Sequence, residues 1–386
     1  MNRQSLLIKI DNYGHLAQSY GAQFASTVEQ EIWSRLREVC GQVGVLTRLG
    51  AGRFSIGCAS SFEQPLADLV KHWSAYVEEL LAGFCGATGV ASLAVLSVEE
   101  GGAIRAVPDA SPLDDTWDQS QALEDMDAAA LTYQAIADDR LLLAFQPIYG
   151  VDGFNDVLYQ ECLVRLKLDD GKGVSFPGTF IPSLERLGLM RCLDRHVTRR
   201  VIDVLKRFPE LSLGVNISAQ SAVDDVWWAS TFADLSEEPD IASRLVFEIT
   251  ETARLRAGKG RPFVQRLREL GCRVAIDDFG VGYGVETGME IGKPDVIKID
   301  RSLLTQSDRD ASTPECLVSM VSIAKDLAPH IVVEGVETAS ALKVVRNAGA
   351  QWAQGHYFGS PDALLLGGYP STWCGLSVQG WTTDSR

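Results

Sequence analysis

A set of carboxylate, amide and ammonium side chains stands where short apolar runs end. Glu161 sits in VLYQECLVRL, Asn216 closes LSLGVN, Glu248 closes LVFE, and Asp277 with Asp278 closes RVAIDD. Lys298 and Asp300 close VIKID, Glu334 closes IVVE, and Gln354 follows more loosely in QWAQG. Short continuous apolar runs read as buried strands, and a residue leaving such a run projects from the C-terminal edge of a parallel sheet. Acidic groups crowded on one rim repel each other and lose hydration, so something positive must stand among them. One or two divalent metal ions meet that need, and the chemistry to expect is metal-dependent catalysis. Singly, each residue has a plainer explanation as a helix cap, a salt-bridge partner or a solvated charge. Jointly, independent caps have no reason to supply complementary oxygen ligands to one rim.

The elements that must position these residues follow from the same runs. From Leu141 to about Gly359, LLLAFQPI, LYQECLVRL, LSLGVNIS, LVFEIT, RVAIDDF, VIKID, HIVVEGV and QWAQGHYFG recur with helical material between most of them. Eight strands spaced by helices predict an α/β (β/α)8 TIM-like barrel with its active site at the C-terminal strand ends. Residues 1–100 predict a smaller ferredoxin-like α/β domain. Its parts are a strand LLIKI, a helix over about 22–39, a hairpin turning through Gly50-Ala51-Gly52, a second helix over about 63–81, and a strand GVASLAVLS. Gly, Pro, Ser and Asp dominate 101–118, which reads as a linker. The barrel domain is expected over 119–365, opening with a lead-in helix over about 119–139, and 366–386 form a C-terminal tail.

The length of 386 residues suggests two or three domains with sizeable cores. A net charge of −16 argues against wrapping DNA or RNA, yet leaves room for a small nucleotide held by metals. The eight cysteines are scattered without a CxxC pair, which predicts reduced, buried thiols in a cytoplasmic protein. MNRQSLLIKI has no basic region followed by a long apolar stretch, and no run approaches the roughly 20 apolar residues of a membrane span. Neither a signal peptide nor membrane insertion is expected.

FQPI, ECLVR, VNIS, EITE, IDDFGVGYG, IKIDRS, VVEGVET and QGHYF occur in this order over the second half. Together they resemble the EAL domain of cyclic di-GMP phosphodiesterases. Hard oxygen donors suit Mg²⁺ or Mn²⁺. The resemblance implies two such ions, one held by Glu161, Asn216, Glu248 and Asp277, the other by Asp277 and Asp278. Two ions roughly 3.5–4 Å apart clamp the attacking and leaving oxygens of an in-line phosphoryl displacement. By the same resemblance Lys298 orients or polarises the attacking water, and Glu334 is a general base or a partner of the second metal; both roles stay open. Gln146, Arg165, Asp300 and Gln354 are expected around the substrate, Asp300 and Gln354 as outer or water-positioning groups. Arg165 lies four residues after Glu161 on the same strand face, where it suits a phosphate or pairs with the acidic rim. Glu251 resembles the residue that anchors the loop after Asp278, and the resemblance also implies a homodimer through the barrel.

Three positions depart from the family pattern: Cys162 replaces the usual Ala, Val281 the usual Thr, and Gly284-Val285 the usual Ser-Ser. Cys162 should point away from the metals by strand alternation. The lost hydroxyls at 281 and 284 bear on how firmly the loop is held, and so on turnover. The first half resembles a degenerate GGDEF domain through LLIKIDNYGHLAQSYG and RLGAGRF. GAGRF keeps neither acid of the motif, and Lys9 replaces the metal-binding acid of the first strand, so a non-catalytic regulatory role is implied. The expected activity is hydrolysis of cyclic di-GMP to linear 5′-pGpG. The rival expectation is a weak or inactive cyclic di-GMP receptor.

Overall fold

The computed structural model describes residues 5–10, 13–40, 44–58, 96–101, 119–153, 156–168, 173–224, 228–250, 260–281, 291–305 and 313–361. They fall into two compact units. No helix among them is long and apolar enough to cross a membrane.

The first unit carries a sheet in the order β2-β3-β1-β4, with β1 at Ser5–Ile10, β2 at Gly44–Gly50, β3 at Arg53–Cys58 and β4 at Leu96–Gly101. Helices Tyr13–Tyr20 and Ala22–Cys40 follow β1. Ile8, Ile10, Leu16, Val28, Ile32, Leu36, Phe54 and Ile56 are buried, and they supply its apolar core. The predicted hairpin is present, and Gly50, Ala51 and Gly52 all take positive φ at its turn. The last predicted strand is met by β4, described over Leu96–Gly101 and paired antiparallel with β1 from Ser5↔Gly101 to Ile10↔Leu96, so that it runs four residues past the predicted end. Pairing with β1 carries the strand through the polar VEEG, which an apolar run does not reveal. Residues 89–95, the predicted helix over 63–81, positions 102–118 of the linker and the tail lie outside the described residues.

The lead-in helix is observed at Gln119–Ala137. Its buried Asp125 accepts two hydrogen bonds from Arg186 of the helix Ile181–Leu187, at 2.7 and 2.5 Å. The Tyr133 hydroxyl donates to the Leu189 carbonyl at 2.6 Å. Burial raises the Asp125 pKa, but hydrogen bonds from Arg186, Ser183 and Gln121 outweigh it and hold the carboxyl below its ordinary value.

The second unit contains the barrel. Its strands are β5 (Leu141–Gly150), β6 (Val157–Lys167), β8 (Leu213–Ile217), β9 (Leu245–Ile249), β10 (Arg273–Phe279), β11 (Val296–Ile299), β12 (His330–Val333) and β13 (Trp352–Ala353); β7 (Val174–Ser175) is a short strand on the end of β6. They run β5-β13-β12-β11-β10-β9-β8-β6, and β5 pairs with β6 to close the ring. These are the eight runs of the sequence. All five residues of β9 and all four of β11 are buried, as expected of strands covered on both faces. Arg244 fastens the lower edge near β9, donating to the carbonyls of Leu205, Phe208 and Leu211 between the helix Met190–Arg207 and β8.

One strand departs from the all-parallel expectation. β5 pairs antiparallel with β13, through Trp352↔Gly150 and Ala353↔Tyr149. From β6 through β8, β9, β10, β11 and β12 to β13, each strand is parallel to the next. A short turn joins β5 to β6, and strands so closely connected pair antiparallel without a crossover. Inside the ring, Ile148, Tyr159, Val246, Ala275, Val296 and Val332 form an apolar cluster.

Candidate metal centre

Period-two alternation builds the site from that apolar layer. Two residues beyond Tyr159, Val246, Ala275, Val296 and Val332 on their strands stand Glu161, Glu248, Asp277, Lys298 and Glu334. Each strand therefore buries an apolar side chain and presents a polar one above it, at the C-terminal mouth. Gln146 reaches the same level from the other direction, because β5 runs the opposite way and places Gln146 before Ile148.

Lys298 is fully buried at the centre. Its Nζ lies 3.0 Å from Glu161, 2.7 Å from Glu248, 2.9 Å from Asp277 and 2.7 Å from Glu334. Burial opposes its charge, but the four carboxylates, Asp277 foremost, hold its pKa well above the ordinary lysine value. An ammonium has only three protons to donate, so four carboxylates exceed what it can satisfy. Accordingly both Glu248 oxygens and Asp277 Oδ1 are buried without an aligned hydrogen bond, even though two of these atoms lie in ionic contact with Nζ.

Glu161 is the best satisfied carboxylate. It accepts from Asn216 Nδ2 at 2.8 Å, Lys298 Nζ at 3.0 Å and Gln354 Nε2 at 2.6 Å. Burial works against its charge, but Lys298 and these amides hold its pKa below the ordinary value. Its neighbours go the other way. Burial, with the charges of Glu161 and Asp277, pushes Glu248 well up; burial also pushes Glu334 well up and raises Asp277. Asp278 is pushed up to about 7 by burial and by the adjacent Asp277.

Asp277 and Asp278 are consecutive, and plain alternation would send them to opposite faces. The β10–β11 register shifts between Ile276 and Phe279, and Asp278 adopts φ 56°. That bulge turns both carboxylates toward one mouth. One oxygen from each of Glu161, Glu248 and Asp277 lies within 4.8 Å of the others, and the same holds for Asp277, Asp278 and Glu334. Asp277 belongs to both groups. Among the described residues the buried Asn216 Oδ1 has no hydrogen-bond partner, which leaves a neutral oxygen beside the first group. Four carboxylates around one ammonium, with Asp278 beside them, all oxygen donors and several of them unsatisfied, fit hard divalent cations, whose presence would reverse the upward pKa shifts.

The remaining sequence-predicted residues divide. Gln354 donates to Glu161 and also, at 3.3 Å, to Gln146, which in turn donates to the Gly359 carbonyl. These two amides brace the carboxylates from one side. Arg165 is buried, interacts electrostatically with Glu161, and donates to the Val164 carbonyl at 2.8 Å. Asp300 accepts the Ser302 N–H at 2.8 Å and caps the short helix Ser302–Thr305. Cys162 is buried, and burial drives its thiol pKa far up, as suits packing. Val281 is 46% exposed and its N–H bonds to the Asp278 carbonyl. Glu251 and Gly284 lie outside the described residues.

Two glycines that sequence reasoning passed over also build the mouth. A Cβ on Gly355 would lie 2.2 Å from the Val336 carbonyl oxygen, and one on Gly335 would lie 2.3 Å from Arg301 Cβ. Only glycine lets these turns close on each other, through Val336 N–H to Gln354 O and Gln354 N–H to Val333 O. Their signal in the sequence is position: each directly follows a rim residue, Glu334 or Gln354.

The EAL domain model matches residues 130–361, more than half of the chain. Cyclic di-GMP phosphodiesterase PdeF of Escherichia coli K12 is 29% identical over 237 residues, 60% of this chain and 31% of that protein. The chain spans about three tenths of the length of the curated relatives it matches. Among solved structures, the PaMucR phosphodiesterase in complex with c-di-GMP is 25% identical with a TM-score of 0.55, covering 62% of this chain and 99% of that one. The S helix-GGDEF-EAL part of Vibrio cholerae LapD shares the fold at 18% identity and a TM-score of 0.55, over 92% of this chain and 89% of that one. With a closed barrel, an acidic mouth and that family match along one continuous stretch, the chain belongs to the EAL domain family.

Proposed function

We propose that the barrel, over residues 119–365, hydrolyses cyclic di-GMP to linear 5′-pGpG with two Mg²⁺ or Mn²⁺ ions. The observation that carries this reading is the pair of carboxylate groups sharing Asp277, with Lys298 buried among them. Glu161, Asn216, Glu248 and Asp277 would hold one ion, and Asp277, Asp278 and Glu334 the other. When bound, such ions polarise a phosphoryl oxygen and make water a stronger nucleophile. The chain's own groups do the rest. Lys298 fixes four carboxylates in one arrangement and stabilises charge gathering on the phosphate. Glu334, with Oε1 on Lys298, offers its other oxygen as a proton acceptor. Gln146 and Gln354 keep Glu161 in place, and Arg165 and Asp300 border the substrate.

Residues 1–100 are proposed as a degenerate GGDEF-like regulatory domain. Lys9 and Arg53 stand opposite each other in the β1–β3 register, where a two-metal cyclase would need carboxylates. A homodimer through the barrel is supported by exposed Val281, Val318 and Ile323; Gly280, beside Val281, lies against Met320 of the helix Thr313–Leu327, which bears the other two. We place the protein in the cytoplasm.

The test is incubation of the purified chain with cyclic di-GMP and Mg²⁺ or Mn²⁺, with the products resolved by chromatography. Linear 5′-pGpG that disappears in Glu161→Ala supports the proposal. Tight cyclic di-GMP binding without product would favour the receptor reading, which the missing hydroxyls at Val281 and Gly284 motivate.

A further inference from the structure

Tyr159 is the odd member of the apolar layer beneath the carboxylates. It is almost wholly buried, and its hydroxyl has no hydrogen-bond partner among the described residues. Its ring carries the Arg273 guanidinium 5.8 Å from the centroid. Beside it on β8 stands Gly214, in register with Glu161 on β6 and Val246 on β9, so a side chain there would point into the barrel. A Cβ built on Gly214 would lie 2.0 Å from Glu248 Oε1 and 2.6 Å from Tyr159 Cε2. Gly214 is not among the glycines of positive φ, so the need for glycine here is one of space. That space holds the Glu248 carboxylate and the edge of the Tyr159 ring. Glu248 Oε2 meanwhile lies 2.7 Å from Lys298 Nζ. The carboxylate is thus gripped by the ammonium at one oxygen and seated over bare backbone at the other.

We infer that Gly214 and Tyr159 are positioning residues that set the seat of Glu248: the glycine opens it and the aromatic ring walls it. This rests on the two-metal reading above. A methyl group at 214 would push Oε1 out of the seat, and loss of the ring would let the carboxylate sink away from the other ligands. Either change separates Glu248 from Glu161 and Asp277, and misplacement of one ligand weakens ion binding and slows the chemistry more than it weakens substrate binding.

The experiment uses the full chain. Mn²⁺ affinity is measured by the paramagnetic resonance of free Mn²⁺, alongside turnover of cyclic di-GMP, for the parent, Gly214→Ala, Tyr159→Leu, Glu248→Asp and the Gly214→Ala/Glu248→Asp double variant. Circular dichroism verifies folding. Gly214→Ala is expected to lower Mn²⁺ affinity at least tenfold and kcat more than KM. Glu248→Asp is shorter by one methylene and clears the added methyl, so the double variant should bind Mn²⁺ more tightly than the two single losses combined would allow. Tyr159→Leu should weaken Mn²⁺ binding with the glycine intact, which keeps the test decisive if Gly214→Ala does not fold. Parental Mn²⁺ affinity in a folded Gly214→Ala or Tyr159→Leu, or strict additivity of 214 and 248, overturns the inference and leaves the two-metal reading standing. A parent chain that neither binds Mn²⁺ nor turns over substrate overturns both.

Discussion

Lys298 is the side chain on which the mouth depends most. It is fully buried within four ångströms of four carboxylates. Removing one partner of a buried ionic group typically costs about 3–5 kcal/mol, because the charges left behind have neither water nor a counter-ion. Lys298→Met should therefore melt well below the parent in chelator. Mn²⁺ should restore much of that loss, since divalent ions replace the missing positive charge, while turnover stays abolished. A variant as stable as the parent in chelator would show that the ammonium is not the counter-charge. Most of this site was legible in the sequence, since Glu161, Asn216, Glu248, Asp277, Lys298 and Glu334 all end apolar runs and all meet at the mouth. Asp278 was legible only as a neighbour: the bulge that turns it inward depends on a register shift against β11 that leaves no mark in RVAIDDF. Gly214 was invisible for a related reason, because its neighbours in space come from β6 and β9.

At the scale of elements, the runs identified eight barrel strands, yet they could not give the direction of the first. LLLAFQPIYG reads as a buried strand either way, and only its pairing with β13 fixes its sense. The lead-in helix was legible as a helix, but its fastening was not. Asp125 and Arg186 are sixty-one positions apart and form a bidentate pair. A hydrogen bond involving charged groups contributes about 1.5–3 kcal/mol, and the partly exposed Arg186 keeps some hydration when its partner is lost, which favours the lower end. Asp125→Ala should let the amides of Gln119–Ala137 exchange roughly tenfold faster at neutral pH. The sign of its pH dependence follows from the lowered carboxyl pKa. The contribution is complete above the unfolded value of about 3.9 and is lost as pH falls through the folded value, so parent and variant should converge below about pH 4. A difference that persists in acid would assign the effect to packing.

Across the whole molecule, the two-ion proposal makes the crowded barrel mouth a place where ion binding would add to stability. An ion that binds only the folded chain contributes about 2.7 kcal/mol at a hundred times its dissociation constant. For a unit of this size that corresponds to a melting shift of roughly 5–10 °C. Mn²⁺ should raise the midpoint of the parent by that order, and Asp277→Ala, which removes the carboxylate common to both groups, should lose most of the gain. Equal shifts in parent and variant would place the ions elsewhere.

The reversed first strand has one more consequence. Because β5 runs against β13, the chain enters the barrel at the acidic rim and leaves β5 at the floor. Gln146 lies five residues into that strand from Leu141, and its amide contact passes through Gln354 to Glu161. A small axial slip of β5 would thus be delivered straight to the Glu161 carboxylate, with no loop to absorb it. A parallel first strand would instead have brought the incoming chain to the far end of the ring. In mechanical terms, β5 is a pushrod whose driven end is the acidic mouth.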